Sequence, residues 1–165
     1  MPNPEDIEYL VMHISVSPWG SVSAIRKWHT DPPPIGRGFV DIAYHYIIGN
    51  PYTTYESFLY KRPTVESDGA IWPGRDLDHD GDVDEEIGAH ALGFNSRSLG
   101  ICFVSLDGML TGAQVTSGLK LCTMLMARYG VPVQKVIGHT ETGNTSKPCP
   151  VFDMGYFRDL LQQGV

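Results

Sequence analysis

Short apolar runs alternate along this chain with segments of helical periodicity, and this alternation constrains the fold more than any other feature. The strand-like runs lie at residues 9–14, 42–48, 70–72, 99–104 and 133–137. The helix-like segments lie at residues 21–28, 111–129 and 152–163. Short apolar runs bounded by turn residues are typical of buried strands, whereas apolar residues three or four positions apart are typical of helices. This order predicts an α/β fold with one central mixed β-sheet of about five or six strands flanked by helices.

Length and charge exclude several classes of function. A chain of 165 residues that is 42% hydrophobic is predicted to form one domain, residues 1–165, with a core of its own. Its formal net charge of -7 argues against nucleic acid as a partner, because such binding depends on lysine and arginine contacts to phosphate. We expect a monomer. No run approaches the roughly 20 apolar residues of a spanning helix, so no membrane insertion is expected.

A histidine and a cysteine near the C-terminus give the strongest chemical signal. His139 ends the last predicted strand, and Cys149 follows in a loop between two prolines, where the charge of Lys147 favours a thiolate. Imidazole and thiolate are ligands that Zn²⁺ prefers, and a catalytic zinc site has three protein ligands and one open position. His13 is the best third ligand because it ends the first strand, and sites gather at strand ends in α/β sheets. The alternative is a pair of hydrogen-bonded core histidines and a buried thiol.

Seven short segments in a fixed order carry a resemblance to a known family. They are VMHIS at 11–15, IRKWH at 25–29, AYHYII at 43–48, GRD at 74–76, GAHA at 88–91, NSRSLGI at 95–101 and KPCPVFD at 147–153. Together they resemble the zinc-dependent N-acetylmuramoyl-L-alanine amidases of the bacteriophage lysozyme and peptidoglycan recognition protein superfamily. The resemblance runs from about residue 9 to about residue 160, which is nearly the whole chain.

The resemblance implies a peptidoglycan-recognition-protein-like fold and hydrolysis of the amide bond between N-acetylmuramic acid and the L-alanine of the stem peptide. The zinc ligands of the family fall on His13, His139 and Cys149, the set already inferred from the residues. Its catalytic tyrosine falls on Tyr44 and its catalytic lysine on Lys147. Peptidoglycan or a muropeptide is the implied substrate.

Two further histidines lie in the shared segments. His90 is a weaker candidate, which we expect to line the substrate groove. His29 is expected to help end a helix, where an imidazolium suits the negative end of the helix dipole.

A phage or prophage enzyme that lyses the cell wall is the function that the resemblance favours. Residues 1–6 lack the basic and apolar regions of a signal peptide, so we expect synthesis in the cytoplasm and action on the wall after release. The alternatives are a non-catalytic module that binds peptidoglycan or docks on a polymerase, and an amidase of muropeptide recycling. Cys149 favours an active enzyme of the phage type, because recognition-only relatives typically lack this cysteine and many recycling amidases have aspartate there.

Two segments depart from the compact family pattern, at about residues 51–66 and 77–87. The first lies inside a predicted hairpin connection, and its aromatic residues are expected to cover the core rather than to wall a substrate groove; they are Tyr52, Tyr55, Phe58 and Tyr60. The second belongs to an acidic run in which aspartates occupy every second position, at Asp76, Asp78, Asp80 and Asp82. With Gly81 in the sixth position this run copies the first part of an EF-hand calcium loop. Ile87 stands where a bidentate glutamate belongs, and Glu85 or Glu86 is the substitute that the run offers, in a different geometry. Two interpretations of this run therefore remain: a calcium-binding loop, or a surface loop whose carboxylates are solvated.

Overall fold

Five strands form one mixed sheet in the computed structural model of the chain, which describes residues 6–164. They are β1 (Tyr9–Ile14), β2 (Tyr46–Ile48), β3 (Ile71–Pro73), β4 (Ser98–Phe103) and β5 (Val136–Gly138). Their order across the sheet is β3-β2-β4-β1-β5. Strand β1 runs parallel to its neighbours β4 and β5, β2 runs parallel to the central strand β4, and β3 is antiparallel to β2. The predicted mixed sheet is confirmed.

Four α-helices accompany this sheet in the described part of the chain. They are α1 (Val22–Thr30), α2 (Tyr55–Leu59), α3 (Gly112–Tyr129) and α4 (Met154–Gln163). Helix α1 begins where the Ser21 side chain accepts a hydrogen bond from the Ala24 N–H, and α3 begins with a reciprocal capping box between Thr111 and Gln114. Gly130, in the left-handed conformation, ends α3. None of these helices is long and apolar enough to cross a membrane.

The two faces of the sheet are covered differently, and this difference places the functional site. Leu10, Met12 and Ile14 of β1 belong to the larger core cluster, which α3 and α4 cover. Because side chains alternate along a strand, His13 points to the opposite face. Its partner in the parallel register, Cys102 of β4, belongs there to a smaller cluster with residues of α1. The end of β1 thus presents a histidine to the less covered face.

Two predicted strands are shorter than their apolar runs. The run 42–48 forms a regular strand only over β2, because upstream the N–H of Ala43 donates to Nδ1 of His29 rather than to a neighbouring strand. The run 133–137 opens with a 3-10 turn and enters β5 only afterwards. At Ala43 the imidazole of His29 thus satisfies a backbone donor that the sheet leaves unpaired.

The predicted hairpin is confirmed, but the expectation about its connection is wrong. Strands β2 and β3 pair antiparallel, and the chain between them carries α2. Tyr55 and Tyr60 are 58% and 60% exposed, and α2 buries none of its residues. Tyr52 and Phe58 pack edge to face against each other at 5.6 Å. These aromatic residues therefore form a surface cluster rather than a cover for the core.

Candidate metal centre

Three side chains from distant parts of the sequence meet at one edge of the sheet. His13 lies near the end of β1, His139 follows β5 directly, and Cys149 lies in the loop before α4. Nδ1 of His13 is 3.8 Å from Sγ of Cys149, and the rings of His13 and His139 have centroids 4.6 Å apart. One ligand atom from each residue lies within 4.8 Å of the other two. The structure thus brings together the three residues that the sequence proposed as metal ligands.

The donor set and its spacing fit zinc. Tetrahedral zinc with bonds of about 2.1 Å to nitrogen and about 2.3 Å to sulfur places two such ligand atoms about 3.6 Å apart. The separation of 3.8 Å between His13 and Cys149 is close to that value. Two histidines and one cysteine also leave a fourth position for water or substrate, which is the arrangement of a catalytic rather than a structural site.

Burial controls the protonation of these ligands. It lowers the pKa of His13 well below the usual value, and neighbouring histidines, His90 first, lower it further. It also lowers the pKa of His139. Both rings are therefore held in the neutral form that binds metals. Burial raises the pKa of the Cys149 thiol, contrary to the expectation that Lys147 favours its thiolate. A cation at the centre would compensate for that thiolate charge.

Thr140 joins the two loops that carry His139 and Cys149. Its backbone N–H donates to the carbonyl of Cys149 at 2.7 Å, and its hydroxyl oxygen accepts from the N–H of Cys149 at 2.8 Å. Next to it, Glu141 accepts two hydrogen bonds, both 3.0 Å long, from the guanidinium of Arg158 in α4. These contacts fix the distance between two ligands that are ten positions apart. Sequence reasoning missed Thr140, although its place directly after His139 is a signal.

A cavity of about 260 Å³ opens over the three ligands. Tyr44 and Lys147, the two predicted catalytic residues, both line it, as does Arg37, which the sequence did not single out. The ring of Tyr44 lies 4.9 Å from that of His13. Burial, with the neighbouring Cys102 and Cys149 thiols, raises the pKa of Tyr44 well above its usual value. Tyr44 is therefore a neutral hydroxyl beside the metal centre, and Lys147 is an exposed ammonium at the rim.

His90 lies directly behind His13. It is 6% exposed, and its Nδ1 is 3.0 Å from Nε2 of His13. Its ring also borders the cavity, as a residue of the substrate groove would. Contact between His90 and a substrate stays a prediction.

The remaining buried histidines accept hydrogen bonds from backbone N–H groups. Nδ1 of His29 accepts from Ala43, and burial lowers the pKa of His29 to about 4. The expectation of an imidazolium at this position is therefore wrong. Nδ1 of His45 accepts from Gly100 while its Nε2 donates to the Glu86 carbonyl, and burial lowers the pKa of His45 to about 4. Both side chains serve the fold as neutral rings.

One carboxylate of the acidic run anchors it to the core. Asp84 is 5% exposed and accepts hydrogen bonds from the hydroxyls of Tyr46 at 2.6 Å and Tyr129 at 2.5 Å. It also pairs with Arg128 at 3.1 Å. The carboxylate oxygens of Asp84 thus bind side chains of β2 and α3.

The residues proposed for calcium come together only in part. Oxygens of Asp76 and Asp78 lie within 4.8 Å of one another and of Glu86, and those of Asp78 and Asp80 do the same with Glu85. Asp82 belongs to neither group, and its carboxylate accepts from the N–H of Asp84. Exposed carboxylates also gather without a cation, so calcium at this loop stays a prediction.

The fold is that of the amidase and peptidoglycan-recognition-protein class. The endolysin of Escherichia phage T7 is 30% identical over 140 residues, which are 81% of this chain and 71% of the endolysin. The solved structure of the amidase LysC from Clostridium intestinale superposes with a TM-score of 0.70 at 22% identity, over 97% of this chain and 89% of the other. A mutant of Drosophila peptidoglycan recognition protein LB in complex with tracheal cytotoxin superposes with a TM-score of 0.61 at 21% identity, over 87% and 75%.

A family match makes the assignment more specific. Residues 3–151 match the sequence model of the N-acetylmuramoyl-L-alanine amidase family. The chain belongs to this family, and it is an amidase of peptidoglycan breakdown.

Proposed function

We propose that this protein is a zinc-dependent phage or prophage lysis enzyme. It hydrolyses the amide bond between the lactyl carbonyl of N-acetylmuramic acid and the first L-alanine of the stem peptide. The observation that carries the proposal is the approach of Nδ1 of His13 to Sγ of Cys149, 3.8 Å away, beneath a cavity that Tyr44 and Lys147 line. Membership of the amidase family and similarity to a phage endolysin support it.

His13, His139 and Cys149 would hold the zinc ion. When bound, zinc supplies Lewis-acid chemistry, since it polarises a carbonyl and lowers the pKa of water to about 7. The floor of the cavity is shielded from water, because His13 and Cys149 are buried. Electrostatic interactions are poorly screened in such a place.

Lys147 and Tyr44 act on the reacting groups. The Lys147 ammonium stabilises the negative charge that develops on the carbonyl oxygen during attack. The neutral hydroxyl of Tyr44 orients the attacking water or passes a proton to the leaving amine of L-alanine. Both groups line the cavity above the candidate ligands.

The charge of the cavity suits an anionic substrate. The whole chain carries a formal charge of -7, yet the residues that line this cavity include Arg37 and Lys147 and no aspartate or glutamate within the described part of the chain. Stem peptides carry carboxylates, which a locally positive cleft attracts. This local reversal of sign supports a peptidoglycan substrate.

A digestion of muropeptides followed by mass spectrometry tests the proposal. The parent should release free stem peptide, and Cys149→Ala should leave the substrate intact. Cys122→Ala, which removes a buried thiol of α3 that contacts Met12 on the face of the sheet opposite His13, serves as the matched control and should retain activity.

The alternatives predict different results when the same digestion is carried out on soluble muropeptides and on intact sacculi. A binding or polymerase-docking module would leave the muropeptide intact in the parent sample as well. An amidase of muropeptide recycling would cut soluble muropeptides but not intact sacculi, whereas a lysis enzyme should cut both. The cysteine at position 149, in place of the aspartate of many recycling amidases, favours the lysis enzyme.

A further inference from the structure

We infer that His90 is a positioning residue, which fixes the tautomer and the ring orientation of His13 so that Nδ1 of His13 faces the metal centre. The inference rests on the proposed function only in taking His13 as a metal ligand. His90 is 6% exposed, and its ring stands nearly perpendicular to that of His13, at an interplanar angle of 86°. The contact between them joins Nδ1 of His90 to Nε2 of His13 at 3.0 Å.

The direction of this hydrogen bond follows from the groups on the far side of His90. The hydroxyl of Ser98 donates to the carbonyl of Phe94 at 2.8 Å. A serine hydroxyl has one hydrogen, so the Ser98 oxygen can only accept from Nε2 of His90, 3.4 Å away. Nε2 of His90 therefore carries the proton, and Nδ1 of a neutral His90 is left as an acceptor.

The same reasoning then fixes the tautomer of His13. Because Nδ1 of His90 accepts, Nε2 of His13 must donate to it. A neutral His13 that is protonated on Nε2 has its lone pair on Nδ1, and Nδ1 is the atom that faces Cys149 at 3.8 Å. A chain of three hydrogen bonds thus runs from the Phe94 carbonyl to Nε2 of His13, on the ring whose Nδ1 faces the metal centre. Ligating histidines in general are oriented by the partner of their second ring nitrogen.

Two glycines make room for the His90 ring. A Cβ atom at Gly100 of β4 would lie 2.6 Å from both Cγ and Cδ2 of His90. A Cβ atom at Gly88 would lie 2.4 Å from Cδ2 of the same ring. Side chains at these positions would force the ring away from His13. The backbone at Gly88 and Gly100 therefore confines the His90 ring from two sides, as a positioning residue requires.

The surroundings of His90 suit a neutral ring, which its role as an acceptor requires. His90 is buried, and its two ring nitrogens meet an imidazole and a serine hydroxyl, neither of which balances a positive charge. The group behind His13 is thus an imidazole, where a carboxylate or a carbonyl is the usual partner of a ligating histidine.

Nitrogen NMR of the metal-free parent tests the tautomer directly. Long-range ¹H–¹⁵N spectra at pH 7.5 should show His13 protonated on Nε2 and unprotonated on Nδ1. A His13 protonated on Nδ1 would overturn the inference, whether or not the protein cleaves peptidoglycan.

Two substitutions at His90 test the effect on the metal. In His90→Asn the side-chain oxygen takes the place of Nδ1 as an acceptor, whereas His90→Leu has none. Zinc affinity, measured by competition with a chromophoric chelator, should fall about 10- to 100-fold in His90→Leu and only a few-fold in His90→Asn. The visible spectrum of the Co²⁺ form should change in His90→Leu and be preserved in His90→Asn.

The stability of the metal-free variants separates positioning from packing. A residue that only fills space would lower the unfolding midpoint of the metal-free protein without changing zinc affinity. Equal zinc affinity in the parent and in His90→Leu would overturn the inference. A protein that binds zinc as expected but leaves muropeptides intact would contradict the proposed function and leave this inference standing. If His90→Leu does not fold, the NMR measurement on the parent and the zinc affinity of His90→Asn still test the inference.

Discussion

Nδ1 of His13 and Sγ of Cys149 lie 3.8 Å apart although 136 positions separate them in the sequence. The sheet produces this proximity, because β1 and β5 are parallel neighbours and their carboxyl ends reach the same edge. His13 lies near one of these ends and His139 follows the other. Thr140 then ties the returning loop, with Cys149, to the same place. The topology thus brings the three candidate metal ligands together at this edge.

Removal of the thiolate should abolish tight zinc binding. Cys149→Ala leaves two histidine ligands, so we expect the variant to lose its zinc on dialysis while the parent keeps about one equivalent. Cys122→Ala, with the same substitution in the core, should keep its zinc. Metal content measured by mass spectrometry after dialysis decides, and equal zinc in Cys149→Ala and the parent would contradict the assignment of this ligand.

The parts of the fold that depend on local pattern could be predicted from the sequence. The sequence predicts helix α3 over residues 111–129, and the helix lies at Gly112–Tyr129, because apolar residues recur at helical spacing between a threonine cap and a glycine stop. It predicts strand β4 at residues 99–104, and the strand lies at Ser98–Phe103. In both elements the pattern of apolar residues along the sequence matches the pattern of burial in the structure.

The features that were missed depend on contacts between distant residues. Asp84 was one of several aspartates in an acidic run, and only the fold shows that Tyr46 and Tyr129 donate to it. His29 was expected to be charged because it ends a helix, but its burial and its bond to Ala43 favour the neutral ring. Burial of a polar side chain is set by what packs over it, which local sequence does not encode.

Loss of the Tyr44 hydroxyl should slow turnover without releasing the metal. We expect Tyr44→Phe to lower kcat about 10²- to 10⁴-fold, the range of a positioned proton donor, because the ring still packs against His13. Zinc content should stay at the parent value. Rates on a soluble muropeptide at saturating concentration provide the measurement, and an unchanged kcat would exclude a proton-transfer role.

Lys147 should matter through its charge. We expect Lys147→Ala to lower kcat about 10²-fold, as expected for loss of one group that stabilises an oxyanion. Lys147→Arg keeps the charge and should recover part of the rate. Since Lys147 is exposed, neither variant should change the unfolding midpoint. Equal loss in both variants would show that the shape of the side chain, rather than its charge, is what matters.

The buried carboxylate of Asp84 should be a main contributor to stability. Asp84→Ala leaves the hydroxyls of Tyr46 and Tyr129 and the Arg128 guanidinium without their acceptor, so we expect a loss of about 3 kcal/mol in the free energy of unfolding. Asp159→Ala, at an exposed position on α4, should change it by less than about 0.5 kcal/mol. Urea unfolding at pH 7 measures both, and similar losses in the two variants would refute the anchoring role.

Acid should destabilise the metal-free protein through its buried histidines. The pKa values of His29 and His45 are about 4 in the folded protein, below the ordinary value of 6.5, so the unfolded chain binds more protons between these values. Their contribution to stability is complete above pH 6.5 and is lost as the pH falls toward 4. Each histidine changes the free energy of unfolding by at most about 1.4 kcal/mol per pH unit in this window.

His29→Asn isolates one of these two terms, because the asparagine oxygen can still accept from the Ala43 N–H but does not titrate in this range. Metal must be removed from both proteins first, since acid also releases zinc from its ligands. Asp41 and Glu141, whose pKa values are lowered in the fold by Arg26 and Arg158 against the effect of burial, lose their contribution at still lower pH in both proteins. The difference between parent and variant therefore reports His29 alone. In urea unfolding, the free energy of unfolding of the parent should fall relative to that of the variant from pH 6.5 to 4.5. A constant difference would mean that His29 has an ordinary pKa in the folded protein.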